Sequence, residues 1–399
     1  MKGLRRLVDR IKPNFEKGGR FEKMHSFFNA FETFLFVPNR VVQSGAHIRD
    51  AIDMKRTMFT VLIALIPALL FGMWNVGHWH FLSIGEAANR TLWETFRYGL
   101  MKVLPIIIVS YITGLTIEII FAQIRHHEVP EGFFVTGMLI PLILPPDIPL
   151  WMVVVATTFA VIIGVEVFGG AGMNLLNPAL TARAFLFFAY PSEMTGDKVW
   201  VSGLKAGHGI IDGFTSATPL ANLTQGNSDL LPPVRELFFG FIPGSIGETS
   251  KIAILIGAAI LIITGVGSWK IMMSGVGGVF AMGFLLNILS PLAHNESIQE
   301  YMVLAPFEHL LIGGFAFGIV FMATDPVSAA QTNKGKWIYG LLIGMLVVLI
   351  RVFNPAYPEG TMLAILLMNV LTPLIDYYIV EANIRRRLRR ARVSQMNLS

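Results

Sequence analysis

One short segment of the chain combines small and hydroxylated residues in a way that suits covalent attachment of a group. Residues 212–220 read DGFTSATPL, and Gly213 and Pro219 favour an irregular backbone there. An exposed threonine flanked by small residues can be presented to a modifying enzyme. A phosphoester to its hydroxyl would hold a nucleotide cofactor without altering the reactive ring, although propensity alone predicts only an ordinary turn.

Three acidic residues lie in otherwise apolar stretches, namely Glu118, Asp325 and Asp376. A carboxylate at membrane depth costs at least about 2.5–3.5 kcal/mol on insertion scales, so another group must offset it. A hard cation, which favours oxygen ligands, would do so. Asp325 precedes Pro326, where a helix break would free backbone carbonyls, whereas Asp376 lies near a helix end and could pair with the arginines after it.

The composition indicates the kind of element that positions these residues. The 399-residue chain is 54% hydrophobic and only 14% charged, against about 25% charged in soluble domains. Its apolar residues fall in runs of roughly 17–22, the length that a helix needs to cross a bilayer. Backbone groups in lipid must be satisfied within the segment, so helices are expected. The sequence predicts an all-α polytopic membrane protein.

The basic residues predict how this protein lies in the membrane. Twelve of the 31 Lys and Arg residues lie in residues 1–56, and six more lie between Arg385 and Arg392. Because basic residues are retained on the cytoplasmic side, both tails are expected in the cytoplasm, and the number of crossings is therefore even. There the tails would contact anionic lipid or a docking partner. We predict ten crossings: 57–74, 101–121, 133–149, 150–169, 175–190, 252–267, 269–290, 309–324, 336–353 and 361–380.

Five crossings in each half require the second half to be inverted if the halves are related. Residues 134–151 read FVTGMLIPLILPPDIPLW and residues 315–329 read FAFGIVFMATDPVSA, each an apolar run that breaks at proline and aspartate. Such segments in matching positions indicate broken helices near the midplane. The predicted organisation is a cytoplasmic basic extension (1–55), a first repeat (56–190), an external segment (191–250), a second repeat (251–380) and a cytoplasmic basic tail (381–399).

Several cofactor classes are excluded or disfavoured by the sequence. The chain has no cysteine, so it carries no cysteine-ligated iron–sulfur cluster, and most histidines lie in loops or at helix ends rather than where axial haem ligands belong. The glycines of 265–267 and 275–278 have no preceding strand, so the dinucleotide fingerprint is not met. They are better explained by close helix packing, and NADH oxidation must belong to a partner.

Residues 212–218 match the flavin-transfer motif Asp-Gly-x-Ser/Thr-Gly/Ser-Ala-Thr, with Ser216 where glycine is common. Together with the ten crossings, the basic extension and the segments HEVPEGFFVTGMLIPLILPPDIPLW and NLLNPALTARAF, the motif makes the chain resemble the ten-crossing, flavin-carrying membrane subunit of the sodium-translocating NADH:quinone oxidoreductases. The resemblance covers essentially the whole chain. It implies FMN bound covalently to Thr218, with Asp212, Gly213, Ser216 and Ala217 completing the motif.

The resemblance also implies the course of the electrons and the partners. They would enter from a neighbouring external flavin subunit, pass from FMN to riboflavin, and reach ubiquinone near the cytoplasmic face of the bacterial inner membrane, coupled to sodium translocation. Cytoplasmic quinone-side and NADH-oxidising subunits and membrane lipid are expected partners, and nucleic acid is not.

Individual residues can be assigned to these expected sites. For riboflavin we expect Asn174 and Asn177, whose amides can hydrogen-bond an isoalloxazine. Asn177-Pro178 would serve equally well as a helix start. For quinone we expect Gly114 and Glu118, which share a helix face and match the family's Gly-x-x-x-Glu, although Leu115 stands where a second glycine is frequent. Glu118, Asp325 and Asp376 are the expected sodium path.

Two other functions remain open on the sequence alone. The related membrane subunit of an Rnf-type ferredoxin:NAD oxidoreductase is also flavinylated at such a threonine, but the long basic extension argues against it. A passive solute channel or transporter would also suit an inverted repeat. A covalent flavin would exclude the transporter, and the identity of the co-purifying subunits would distinguish the two oxidoreductases.

Overall fold

The fold is taken from a computed structural model, which describes residues 2–15, 19, 28, 32, 44–45, 54–125, 129, 132–206, 214–354, 357 and 359–396. All regular elements in these ranges are helices, and the ranges contain no strand. An all-α polytopic architecture is thereby confirmed. The helices of the first half are α1 (Lys2–Ile11), α2 (Met54–Ser83), α3 (Leu92–Arg125), α4 (Phe133–Leu142), α5 (Leu150–Gly164) and α6 (Pro178–Ala189).

Short helices follow in the long connection, and a second set of long ones completes the chain. Single 3₁₀ turns link several of them, among them Glu166–Phe168 after α5. The remaining helices are α7 (Pro191–Met194), α8 (Pro219–Thr224), α9 (Val234–Phe239), α10 (Lys251–Ile263), α11 (Trp269–Leu289), α12 (Glu296–Val303), α13 (Glu308–Leu311), α14 (Phe315–Phe317) with a π-helical turn (Gly318–Met322), α15 (Asn333–Phe353) and α16 (Thr361–Met396).

Six of the ten predicted crossings contain helices long and apolar enough to span a membrane, and these are α2, α3, α5, α11, α15 and α16. The other four contain short helices: α4, α6, α10, and α14 with its π turn. Ten to thirteen residues of helix rise only about 15–20 Å, less than the hydrocarbon core of about 30 Å. The short helices α4 and α14 lie where the sequence predicted broken helices, and α6 and α10 are short as well. Pro145 and Pro326, which lie just beyond two of the short helices, disfavour helical backbone before them.

The two halves repeat the same pattern of helix contacts. In the first half α3 packs against α5, and α5 packs against α6; in the second half α11 packs against α15, and α15 packs against α16. Between the halves, the first helices α2 and α10 touch each other, and so do the last helices α6 and α16. These contacts are the ones that a pseudo-two-fold axis would produce.

The halves run in opposite directions. Helix α2 ends against residues 191–250, which join the two halves and which we call the connecting segment. There His80 Nδ1 lies 2.9 Å from the Ser202 carbonyl oxygen and Trp79 packs edge-on against Phe214. Helix α10 instead begins from that segment at Lys251. The predicted inverted repeat is thus present in the structure. We call the side of the bundle that carries the connecting segment the Thr218 face, and the opposite side, which carries the loop after the π turn, the Asp325 face.

Glycines allow the closest helix pair in the bundle, α11 with α15. A Cβ on Gly344 would lie 2.1 Å from the Gly275 carbonyl oxygen, and one on Gly278 would lie 2.1 Å from that of Leu341. Small residues let helix backbones approach closely where lipid offers no hydrophobic driving force between helices. Gly275 and Gly278 therefore serve packing, as the sequence indicated, whereas Gly277 does not.

Candidate functional site

Thr218 lies at the start of α8, on the wall of a cavity. Its Oγ1 accepts a hydrogen bond from the Ala221 N–H at 3.2 Å, so it caps the helix while its own hydroxyl proton stays available. Ser216 is buried and Ala217 is half-buried, whereas Asp212 and Gly213 lie outside the described residues. The cavity measures about 280 Å³ and opens on the Thr218 face.

Aromatic and charged side chains line this cavity together. Phe187, Trp200 and Tyr357 supply flat apolar surface, and Arg183, Glu248 and Glu359 supply charge. Apolar walls with a few placed polar groups are typical of cofactor pockets. The cavity volume and this lining fit the ring system of a flavin whose phosphate is attached at the rim.

The charged residues of the cavity form a buried ion cluster that joins three helices. Arg183 Nη1 lies 2.8 Å from Glu248 Oε1, and its Nη2 donates to Glu359 Oε2. Arg351 donates to the carbonyl oxygens of His309 at 2.6 Å and Ile312 at 2.9 Å. Pairing of this kind is what makes buried charge tolerable. Breaking one member would leave the others uncompensated.

Lys251 completes the cluster. Its Nζ donates to the carbonyl oxygens of Glu248 at 2.8 Å and Gly313 at 2.9 Å. Burial raises the pKa of Glu359 to about 7, against the lowering effect of the Arg183 charge. Of this cluster, only Arg183, Glu248 and Glu359 line the cavity. Together with Asp197 they give a charged lining of one cation and three carboxylates.

Sequence reasoning missed this cluster. Arg183 and Arg351 lie inside apolar helices, and ionisable groups in such positions are functional by default. The position of these two arginines inside apolar runs could therefore have identified them, as it did the acidic residues. Glu359, which is 176 positions from Arg183, could not be connected to it without the fold.

A second cavity of about 260 Å³ opens on the Asp325 face. It brings together four of the residues that the sequence singled out: Glu118, Asn174, Asn177 and Asp325. They come from α3, the loop before α6, and the loop after the π turn. The residues expected to hold riboflavin and those expected in the sodium path thus share one chamber, on the side opposite Thr218.

Asn177 serves as a helix cap whatever else it binds. Its Oδ1 accepts from the backbone N–H groups of Ala179 and Leu180 at 3.0 and 3.2 Å, and its Nδ2 lies 3.4 Å from the Met322 carbonyl oxygen. Asn174 donates from Nδ2 to the Leu176 carbonyl oxygen at 3.0 Å. The helix-start interpretation of Asn177-Pro178 is confirmed.

The gap expected at Gly114 is already filled. A Cβ at Gly114 would lie 1.7 Å from Cζ of Phe133, so the flat ring against this glycine belongs to the chain itself. Gly114 does not line the second cavity, whereas Glu118, one helical turn further, does. In this structure the Phe133 ring occupies the space beside Gly114, and a role of Gly114 in quinone binding stays a prediction.

The three acidic residues expected in the sodium path differ in their surroundings. Asp325 accepts from the Ser328 backbone N–H at 3.1 Å and from its hydroxyl at 2.6 Å, and it lines the second cavity. Asp376 lies apart from the lining and accepts from the backbone N–H groups of Gln331 at 2.7 Å and Thr332 at 3.1 Å. It therefore holds the loop that follows Asp325 rather than pairing with the terminal arginines.

Transition-metal chemistry has no site in the described part of the chain. No three His, Asp or Glu side chains come together there in a group that could hold a metal ion.

The fold and the two cavities define a class: a membrane protein of two inverted halves, with a threonine-rimmed cavity on one face and an acidic, amide-lined chamber on the other. A sequence model of the NQR2, RnfD, RnfE family matches residues 41–385. The chain belongs to this family, and the resemblance drawn from residues 212–218 is confirmed at that level.

Known relatives cover nearly the whole chain. It is 47% identical to a Na(+)-translocating NADH-quinone reductase subunit of Ectopseudomonas mendocina, over 97% of this chain and 99% of that protein. The proteins of the same name from Pseudomonas aeruginosa and Chromohalobacter salexigens are 46% and 45% identical, each over 97% of this chain. The similarity therefore includes both halves and both faces.

Proposed function

We propose that this chain is the membrane subunit of a sodium-translocating NADH:quinone oxidoreductase that carries covalent FMN on Thr218. The observation that carries the proposal is the position of this threonine. It ends the flavin-transfer motif and lines a cavity of about 280 Å³ with aromatic walls. Relatives at 45–47% identity are named as a subunit of that reductase, which supports the same function here.

The residues of the first cavity have separate roles in this proposal. The Thr218 hydroxyl supplies the oxygen of the phosphoester, Phe187, Trp200 and Tyr357 enclose the ring system, and Arg183 supplies the one cation of the described lining. Once bound, FMN would supply redox chemistry that no side chain here offers. The protein's part is to position the ring and to hold it away from water.

We assign the second chamber to riboflavin and the quinone side. Asn174 has an amide on the chamber wall and could hydrogen-bond the edge of an isoalloxazine, while Asn177 fixes the wall by capping α6. Quinone would approach at Glu118 rather than against Gly114, because Phe133 covers that glycine. Glu118 and Asp325 would carry sodium through the same chamber.

The orientation follows from the charges. Helix α2 begins and α16 leaves the bundle on the Asp325 face, where Met54 lines the chamber and Asp376 holds the loop at Gln331. With the basic tails inside, this face is cytoplasmic, and residues 191–250 face outward from the bacterial inner membrane. An external flavin subunit would then meet the Thr218 face, and the quinone-side and NADH-oxidising subunits the other face.

The related membrane subunit of an Rnf-type complex remains the second candidate, because the matching family includes both kinds of protein. The basic residues before α2 favour the quinone reductase. Co-purification with a basic, quinone-binding soluble subunit would support it, whereas a ferredoxin-type partner would contradict it.

The test of the proposal is Thr218→Ala with Ser192→Ala as the matched control. Both remove a hydroxyl from the segment between the halves, and Ser192 is exposed and lies outside the motif. Thr218→Ala should abolish ultraviolet fluorescence of the subunit in a denaturing gel and the added mass of one FMN residue, while Ser192→Ala keeps both. Persistence of either signal in Thr218→Ala would show that the attachment site is wrong.

A further inference from the structure

A second buried carboxylate lies beside Glu118 and has no part in the assignments above. Glu118 is on α3 and Glu166 begins the 3₁₀ turn after α5, and they are 2% and 1% exposed. Because α3 packs against α5, the two carboxylates are close enough for their charges to interact. We call Glu118 and Glu166 the carboxylate pair.

Two oxygens of the carboxylate pair lack a donor. Oε2 of Glu118 and Oε1 of Glu166 accept no hydrogen bond from the described part of the chain. Buried polar atoms are almost always satisfied. Two such atoms in one pair indicate a missing ligand that interacts with oxygen.

One guanidinium faces the pair. Arg125 Nη1 lies 2.9 Å from Glu166 Oε2, and its Nη2 donates to the Glu166 carbonyl oxygen at 2.8 Å. Among the described groups at this place, two carboxylates therefore face a single cation. With both carboxylates ionised, the pair carries one negative charge more than Arg125 balances, and a buried site needs a further cation or a proton to offset it.

The compensating charge can reach the pair through the chamber on the Asp325 face. Glu118 lines this chamber, and Lys, Arg and His are absent among the described residues of its lining. Asp325 and the hydroxyl of Thr136 also line it, so the available ligands are oxygens. Oxygen ligands select hard cations, and the chamber is wide enough for such an ion to enter.

We propose that Glu118 and Glu166 together hold one sodium ion, with Arg125 fixing Glu166 in place by its contacts to both the carboxylate and the backbone. This site rests on the proposed sodium translocation and adds Glu166 to it as a ligand. Glu118 is the ligand at the chamber, and Glu166 is the ligand on the buried side of the ion.

The site can be tested by the sodium dependence of thermal unfolding, measured on the whole purified complex. An ion that binds only the native state raises the unfolding midpoint by mass action. NaCl is compared with choline chloride at equal ionic strength. In Glu118→Gln and in Glu166→Gln the sodium concentration for half of the rise should increase about tenfold or more. The double variant should add little, because both side chains bind one ion.

The matched control is Glu300→Gln, the same change at an exposed carboxylate on α12, which should leave the sodium response as in the wild type. If Glu166→Gln prevents assembly, Glu166→Asp keeps the charge one methylene further back and should give an intermediate shift. A wild-type response in that variant would overturn the site.

The remaining outcomes separate this site from the proposed function. A normal response in Glu166→Gln with a lost response in Glu118→Gln would overturn the pair and leave the path through Glu118. Protection of the wild type by low pH instead of sodium would also overturn it, since the pair would then hold a proton. In all variants the fluorescence of covalent FMN reports separately on Thr218.

Discussion

At the scale of single residues, the structure separates side chains that look alike in the sequence. Asp325 and Asp376 are both aspartates in apolar runs near the same face. Asp325 lines the chamber and accepts from Ser328 and from the Val327 backbone, close to it in the chain, whereas Asp376 accepts from Gln331 and Thr332. Exposure to the chamber, rather than depth in the membrane, therefore identifies the residue available to an ion.

This difference predicts that substitutions of the two aspartates affect different properties, sodium affinity in one case and stability in the other. Asp325→Asn should lower the apparent affinity for sodium in turnover assays about tenfold, which corresponds to about 1.4 kcal/mol, with normal covalent flavin. Asp376→Ala should instead lower the stability of the complex by about 1–3 kcal/mol, because it leaves backbone donors unpaired. Unchanged sodium dependence in Asp325→Asn would move the ion path elsewhere.

Single residues also show how much of the candidate site could be predicted from the sequence. The hydroxylated motif and the acidic residues could be found because each is unusual within a few positions of the chain. The chamber they share could not be predicted, since Glu118 and Asp325 approach only when α3 and the loop after the π turn pack around α4. Phe133, which closes the space at Gly114, was missed for the same reason: it lies on another helix.

At the scale of the elements, two helices can pack closely where a glycine of one helix lies against the backbone of the other. The helix pair α11 and α15 approaches through Gly344, whose Cβ would meet the Gly275 carbonyl oxygen at 2.1 Å and the Val279 nitrogen at 2.7 Å. Backbone atoms cannot move aside as a flexible side chain can. Gly277 lies on α11 between Gly275 and Gly278, but a Cβ at this position would have no atom within 4 Å.

A pair of alanine substitutions should therefore behave differently. Gly344→Ala should destabilise the protein by about 1–3 kcal/mol, since the two helices must separate. Gly277→Ala should change stability by no more than about 0.5 kcal/mol. Thermal unfolding in detergent measures both. Equal effects would contradict the contact between α11 and α15.

The carboxylate of Asp147 makes several hydrogen bonds between the bundle and the connecting segment. Asp147, in the loop after α4, accepts from Lys102 Nζ at 2.9 Å and the Ser202 hydroxyl at 2.8 Å, and also from the Gly203 N–H. Burial would raise the pKa of Asp147, but these hydrogen bonds outweigh it and hold the pKa below its usual value. A depressed folded pKa means that the contribution to stability is present above the unfolded pKa of about 3.9 and is lost as the pH falls through the folded pKa.

Asp147→Asn should loosen this segment at neutral pH. Losing the charge costs about 1 kcal/mol, so the open population should rise roughly fivefold. Limited proteolysis at residues 202–206 measures that population. The wild type should open in the same way only when the pH falls below about 4, and resistance of the variant at pH 7 would contradict the role of Asp147.

The sequence located the helices better than it located their ends. Apolar runs identified all ten helical positions, because the hydrophobic requirement of a crossing is local. Four of the helices stop short, and the stops follow from proline placement and from packing against the opposite half. Composition within a window reports neither of these.

At the scale of the whole molecule, the two cavities open on opposite faces. The chamber with Glu118 and Asp325 lies on the face where α2 begins and from which α16 leaves the bundle, and the cavity of Thr218 lies on the other. Any transfer between the two cavities has to pass through the buried helices between them. The broken helix α14 with its π turn runs there, since Gly314 lines one cavity and Phe321 lines the other.

This arrangement predicts the result of reporter fusions. A reporter inserted within residues 195–210 should read as external, and one fused after Arg392 should read as cytoplasmic, because the basic residues retain the tails inside. Alkaline phosphatase and green fluorescent protein fusions measure the two sides. Reporters on one side would show that the number of crossings between them is not five and would refute the inverted repeat.

The antiparallel course of α2 and α10 has an evolutionary consequence. Two halves that touch first helix to first helix and last to last reproduce the contacts of a symmetric homodimer with two-fold symmetry. A five-helix ancestor forming that dimer had to insert in both orientations, which requires nearly balanced charges on its two ends. Fusion of two copies removes this requirement, so each tail is free to accumulate lysine and arginine, and the present chain records the orientation that was fixed.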